Sequence, residues 1–345
     1  MTAPAFVDLL VHAALLVLVV AALFPPLAWV ERYAALAPSE RERFAKDPLL
    51  PLLNALKLLG KRAMTPSGDR VLHAIAPLLS LTPALFVIAS LPVLTAVVDD
   101  ERVVWAPVVG PAVPWQLVYA VVLVSPVSYL VAARAARNPL AILGALRIAA
   151  VRTSALLVSA LSTAGVMRAL SASSLDGLVR ASRAPLVDGV PIIGSLPAIG
   201  ALANPLAFFA SFFALVIFAS RASRPGGHAR GDLVEGHVMV AAGPLLLAQR
   251  VFDVVDLLAL SGLLATVSFG GAYVPAGLVD DAPLAALVAA VTLVVKSLAV
   301  AVVMVFVRRA LPPLQHDQAL RTLWLGLLPL ALGALVLGSA LEARA

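Results

Sequence analysis

The sequence predicts an all-α polytopic membrane protein, and three observations carry that prediction. Of 345 residues, 61% are hydrophobic and only 13% charged, where soluble domains carry about 25% charged residues. Mean hydropathy is +1.01. The apolar residues gather in long runs, and the short segments between them hold most of the Lys and Arg. Such runs read as helices, because a spanning helix needs about 20 apolar residues and satisfies its own backbone in lipid.

Eight spans are predicted within a single membrane domain, residues 1–345, at approximately 5–30, 71–97, 115–134, 141–170, 191–219, 240–268, 283–308 and 321–341. No Lys or Arg precedes Arg32, so the first run lacks the basic start of a cleaved signal and reads as a retained span. The fifth is open to shortening, since Pro191, Pro197 and Pro205 interrupt its first half. Sixteen of the 25 basic residues fall in the loops after spans one, three, five and seven. The other side holds Arg102, Arg180, Arg183 and Arg344. The positive-inside rule then places the odd-numbered loops in the cytoplasm and both termini outside. The net charge of +6 needs no nucleic acid to account for it.

Between the first two spans, Leu49 to Arg70 reads LLPLLNALKLLGKRAMTPSGDR. Asn54, Lys57 and Lys61 recur at i, i+3 and i+7, sharing one helical face with leucines elsewhere. Pro51 suits a first helical turn and Gly60 a helix end. At about a dozen residues the segment is too short to cross a bilayer and is expected to lie in the interface plane. An ordinary linker helix is the plainer alternative.

Five basic residues, Arg147, Arg152, Arg168, Arg250 and Lys296, fall inside predicted spans, as do Asp253 and Asp256. Charge in hydrocarbon costs about 2.5–3.5 kcal/mol on the insertion scale, so these side chains should face protein or a watery cavity. Arg250, Asp253 and Asp256 lie within an arc of about 120° on one helix face, and Arg250 could pair with Asp253 at i, i+3. They are either a polar path for protons or ion pairs that lock helices together. The chain has no cysteine, which excludes disulfides, thiolate zinc sites and iron–sulfur ligation within it. Its five histidines show no metal-binding spacing, so no metal is expected. The glycine-rich segment from Arg221 to His237 holds no phosphate-binding loop. Asp99-Asp100-Glu101 and Asp280-Asp281 read as solvated outer turns, and Ser171 to Asp188 as a small-residue segment with weak helical periodicity.

Four stretches resemble the H subunit (subunit 1) of proton-pumping NADH–quinone oxidoreductase, respiratory complex I. Glu31-Arg32 closes the first span where that family has an ER pair. LLPLLNALKLLGKRAMTPSGDRVLHAIAPLL at 49–79 is similar to the family's LLQPxADxxKLLxKE…P…ADRxxFxxAPxL. NPLAILGALR at 138–147 resembles NxKYALLGALR, and VRRALPPLQHDQALRTLWLGLLPLAL at 307–332 resembles RxxLPRxRxDQ…W…LPL. The resemblance implies a membrane subunit that shapes the quinone chamber beneath the soluble arm and couples quinone reduction to proton translocation. It also implies a bacterial inner-membrane location and an enzyme only as part of a complex, with no self-contained active site. Quinone would be the substrate, and the other membrane subunits, the soluble arm and lipid the partners. No cofactor would be held by this chain, the iron–sulfur clusters and FMN residing in partner subunits. By match to the family's positions, Glu31, Arg32, Asn54 and Lys57 would border quinone access, while Asp232, Glu235, Asp253 and Asp256 would be proton-path candidates beside Arg250.

The chain departs from the family's pattern in its carboxylates. Asn54 stands at the Asp of ADxxKLL, and the SYE motif falls on Ala155-Leu156. The acidic fifth-span loop is replaced by SRASRPGGHARGDLVEGHVMVAAG at 220–243, while the later AEY acid falls on Asp253. Arg147, Arg152 and Arg250 are available as partners for the remaining acids. Arginine keeps its proton and favours the ionised form of a neighbouring carboxylate, which makes that carboxylate a poorer carrier. Two alternatives therefore stand beside the leading reading. One is the corresponding subunit of a membrane-bound hydrogenase or formate-hydrogenlyase complex, and the other a non-catalytic membrane scaffold.

Overall fold

The structure is a computed structural model describing residues 22–23, 25–30, 33, 50–61, 69–92, 95–98, 101–104, 113–182, 197–219, 243–272, 282–311 and 314–343. Residues 25–30 are helical and lie in the predicted first span. The amphipathic segment forms helix α1, Leu50–Leu59, with Pro51 in its first turn and a turn at Gly60, as the residue pattern predicts. Leu52, Leu53, Leu56 and Leu59 of α1 are exposed, as is Lys57, whereas Asn54 is half-buried.

Helix α2, Arg70–Ser90, starts at Asp69, whose carboxylate accepts hydrogen bonds from the Val71 and Leu72 amides at 3.0 and 3.2 Å. It ends at Leu91-Pro92, short of the predicted limit at 97. Beyond it a small antiparallel hairpin forms from β1, Thr95–Val98, and β2, Glu101–Val104, with Val98 opposite Glu101. Its valine-rich strands favour extended backbone, which the apolar run concealed. Asp99 and Asp100, expected in a solvated turn, lie outside the described residues. Apart from this hairpin the described elements are helical.

The third predicted span is two helices, α3 Trp115–Val122 and α4 Ser125–Ala136, with Pro126 in the first turn of α4. Arg137, at φ 52°, turns the chain into Asn138, whose side chain accepts from the Leu140 amide at 3.0 Å and starts α5, Pro139–Ala169. The small-residue segment holds α6, Leu175–Ala181, whose first turn is capped by Ser174. Then come a single turn, α7 Gly200–Ala203, and α8, Pro205–Ala219. Within the predicted fifth span the described residues give 15 residues of continuous helix from Pro205 onward, preceded by the turn at Gly200–Ala203, and residues 191–196 lie outside the described residues. Asn204 bridges helices here: its Nδ2 donates to the Ala334 carbonyl at 2.8 Å and its Oδ1 accepts from the Ala207 amide at 3.2 Å. Replacing Asn204 by Leu is expected to cost about 1–2 kcal/mol, read as a lower thermal midpoint of the purified protein in detergent.

Helix α9, Pro244–Phe269, opens at Gly243 (φ 63°) and closes on Gly270 (φ 67°). It is the central helix, buried from Phe252 to Ser268 and half-buried over Pro244–Ala248. It packs chiefly on α2 and on α10, Ala282–Ala310, while α5 packs chiefly on α8 and on the last helix. That last run comprises α11, His316–Arg321, a π-helical turn Thr322–Leu327, and α12, Leu328–Glu342. By length and apolarity, five runs could each cross a membrane: Trp115–Ala136, Pro139–Ala169, Pro244–Phe269, Leu287–Ala310 and His316–Glu342.

Two cations close helix ends. Lys296 Nζ donates to the Phe269 and Gly271 carbonyls at 3.0 and 2.9 Å, and Arg308 Nη1 donates to the Ala219 carbonyl at 2.6 Å. Each satisfies carbonyls that a helix terminus leaves without an internal partner.

Candidate functional site

The charged site lies where α5, α8, α9 and α10 meet. Arg152 sits 13 residues along α5 and is only 5% exposed. Its Nη1 donates to Asp256 Oδ2 at 3.1 Å, and Asp256 is 3% exposed. Aromatic rings enclose the guanidinium: its carbon lies 4.3 Å from the Phe218 ring centre, 4.8 Å from Tyr129 and 5.9 Å from Phe252. Desolvated cation–π contacts are worth up to about 2 kcal/mol each, so the rings replace part of the hydration that Arg152 gives up. The pair and the Phe218 ring line a small cleft with about 240 Å³ of empty space, part of it open to solvent. Asp253, Leu257, Ala219 and Arg308 complete the lining. Asp253 is 8% exposed and lies one turn nearer the start of α9 than Asp256.

This differs from the expected pairing on α9. Asp256 takes Arg152, 104 residues away, as its partner. Arg250 is exposed and forms no ion pair among the described residues. The reason is geometric. Arg250 lies about 9 Å along α9 and Arg147 about 12 Å along α5, near enough to the helix starts for long side chains to reach the interface. Both are accordingly exposed, whereas Arg152 is too deep for that and must find a counter-charge. Arg168, also expected inside a span, ends α5 and meets Glu342 at 3.3 Å on the surface.

Among the other sequence candidates, Glu31, Arg32, Asp232 and Glu235 lie outside the described residues. Asn54 and Lys57 are on α1, which packs near α9 but contributes nothing to the cleft lining. Asp253 and Asp256 are thus the two candidates brought together, with Arg152 and Arg308 added from other helices.

A second polar cluster lies farther along α5. The Tyr119 hydroxyl is 2.9 Å from Ser159 Oγ and 2.8 Å from Thr163 Oγ1, and Ser159 Oγ is 2.8 Å from Ser211 Oγ on α8. All four side chains are buried. Sequence reasoning missed this cluster, because lone hydroxyl residues in apolar runs carry no periodic signal.

A central helix buried along most of its length, long apolar helices around it and an arginine–carboxylate pair in the interior define a multi-pass membrane protein that carries charge within its bundle. Similarity to known proteins makes the class specific. The family described as NADH dehydrogenase matches residues 11–339. The H subunit of the NADH-quinone oxidoreductase of Thermomicrobium roseum is 30% identical over 290 residues, covering 82% of this chain and 80% of that protein. The corresponding H subunit of Geobacillus thermodenitrificans is 27% identical over 295 residues, covering 85% and 80%. The H 2 subunit of Rhizobium etli is 27% identical over 338 residues, covering 96% and 93%. The chain belongs to the NADH dehydrogenase family.

Proposed function

We propose that the chain is the H-type membrane subunit of a bacterial inner-membrane NADH–quinone oxidoreductase, shaping the quinone chamber and coupling quinone reduction to proton translocation. The observation that carries this reading is the family match along nearly the whole chain, joined to a buried charged cleft. Eight spans with both termini outside are part of the proposal, and three contacts support that parity. The Asp69 amide donates to the Ala135 carbonyl, joining the start of the second span to the end of the third. Arg308 reaches Ala219, joining the ends of the seventh and fifth. Arg168 meets Glu342, joining the ends of the fourth and eighth. Every pairing links ends assigned to the same side.

Within the cleft the two carboxylates divide their roles. Asp256 is tied to a guanidinium that never releases its proton, so it balances charge. Asp253, in the same lining and at the place of the family's later AEY acid, is the proton carrier, with Asp232 and Glu235 supplying the approach and Arg250 an outer cation. Glu31, Arg32, Asn54 and Lys57 border quinone access. FMN and iron–sulfur clusters belong to the partner subunits.

The test is Asp253→Asn in the assembled complex, reconstituted in vesicles. Proton uptake per NADH oxidised should fall at least several-fold while Arg168→Gln, on the surface, leaves it near wild type. Equal ratios in wild type and Asp253→Asn would remove Asp253 from the path.

A further inference from the structure

The two polar clusters on α5 lie on one face yet do not touch. Arg152, Leu156, Ser159 and Thr163 follow one another at i, i+4, i+7 and i+11, the spacing of a single helical stripe. Arg152 belongs to the charged cleft, and Ser159 and Thr163 belong to the hydroxyl cluster. Leu156 stands between them, fully buried.

Neighbouring helices repeat the interruption at the same depth. Ser159 bonds Ser211 and Arg152 covers Phe218, which fixes the antiparallel register of α5 and α8. The intervening turn of α8 carries Ala214 and Leu215, 0% and 1% exposed. The Arg152–Asp256 pair fixes the register of α9, and one turn beyond Asp256 stands Leu260, 1% exposed. Leu156, Leu215 and Leu260 all belong to the continuous hydrophobic core. The other buried hydroxyls on this stretch of α5 are engaged elsewhere. Ser154 Oγ accepts from Trp324 Nε1, and Ser162 Oγ donates to the Val158 carbonyl.

The gap is wide for a proton. Seven residues of helix from Arg152 to Ser159 span about 10 Å, whereas a proton transfer needs heavy atoms about 2.6–3.2 Å apart. The Arg152 side chain also leans toward the helix start, away from Ser159, which widens the separation. A file of two or three waters would be needed, and α5, α8 and α9 place Leu156, Ala214, Leu215 and Leu260 at that depth, while the buried Ser261 hydroxyl beside Leu260 donates to the Leu258 carbonyl.

We propose that Leu156, with Leu215 and Leu260, forms an apolar plug that seals the charged cleft from the Tyr119–Ser159–Thr163–Ser211 cluster and stops proton transfer along α5. The hydroxyl cluster is then a helix clamp and not a station on the path. This rests on the reading of the chain as a proton-handling membrane subunit, but the plug is tested without relying on turnover.

The complex is reconstituted in vesicles loaded with a pH-sensitive dye, and passive proton flux is followed after an imposed pH step with valinomycin and potassium present. Leu156→Asp should raise passive flux several-fold over wild type, and adding Tyr119→Phe and Ser159→Ala should return it to the wild-type level. Flux in Leu156→Asp equal to wild type would overturn the plug. A second arm covers failure of that variant to assemble. Tyr119→Phe and Ser159→Ala in the otherwise native complex should leave NADH-driven proton uptake unchanged. Loss of uptake with quinone reduction retained would place the hydroxyls on the path and overturn the proposal. Absence of NADH-driven quinone reduction in the wild-type vesicles would instead fail the functional reading, while the passive-flux comparison would still decide the plug.

Discussion

Replacing Asp256 by Asn is expected to destabilise the chain more than any other single carboxylate change among the described residues. The substitution leaves the Arg152 guanidinium, 5% exposed, without the carboxylate that faces it at 3.1 Å. Breaking one side of a buried pair costs about 3–5 kcal/mol, because the surviving charge has lost its compensation. The three surrounding rings offset part of this and cannot replace a carboxylate. Removing both charges, as Arg152→Met with Asp256→Leu, should recover most of the loss, since a well-packed apolar pair is often neutral relative to the ion pair. The readout is the amount of folded chain in the membrane and its thermal midpoint in detergent. A double variant no better than the sum of the singles would show that the two side chains do not depend on each other.

The second large effect is expected at Gly338. Here α12 crosses α5 so closely that a Cβ on Gly338 would collide with the Gly165 carbonyl oxygen. The approach is mutual, since a Cβ on Gly165 would meet the Ala334 oxygen at 2.7 Å. Small residues at helix crossings let backbones approach, and in lipid such packing is a main source of helix association. Both obstacles are backbone, so neither can swing aside. Gly338→Val should therefore push α12 off α5 and cost about 2–4 kcal/mol, on the scale of a disrupted core contact. Gly333→Ala, in the same helix, adds a methyl that meets nothing within 4 Å and should be tolerated. Protease sensitivity of the C-terminal helix compares the two. Equal resistance in Gly338→Val and Gly333→Ala would contradict the close crossing.

Much of the fold was legible because helix limits follow local signals. Predicted limits of 141–170, 240–268 and 283–308 compare with Pro139–Ala169, Pro244–Phe269 and Ala282–Ala310. Asn138, Pro139, Gly243, Pro244 and Gly270 mark those ends in the sequence itself. What was hidden depends on other parts of the chain or on weak local preferences. Strand β1, Thr95–Val98, has the same apolar character as the helix before it, so hydropathy alone ran the span on to 97. The break at Leu123-Val124 and the π-helical turn at Thr322–Leu327 leave hydropathy unaltered.

The buried position of two carboxylates was also legible. Asp253 and Asp256 stood out because carboxylates in apolar runs are costly. Their neighbours could not be paired correctly from one helix face, since proximity at i, i+3 favoured Arg250 and only tertiary packing delivers Arg152 across 104 residues. Depth was the missing variable. Two basic residues near helix starts can reach water, and one deep in α5 cannot.

The central claim, that this chain works as the membrane subunit of an NADH–quinone oxidoreductase, is tested most directly by purifying it with its partners. A tagged chain extracted from membranes in mild detergent should bring down FMN and iron–sulfur absorbance, and the preparation should reduce added quinone with NADH. Quinone reduction should be lost when the gene for this chain is deleted and return when it is restored. Co-purification with a hydrogen-oxidising or hydrogen-evolving activity, and no NADH-dependent quinone reduction, would contradict that claim.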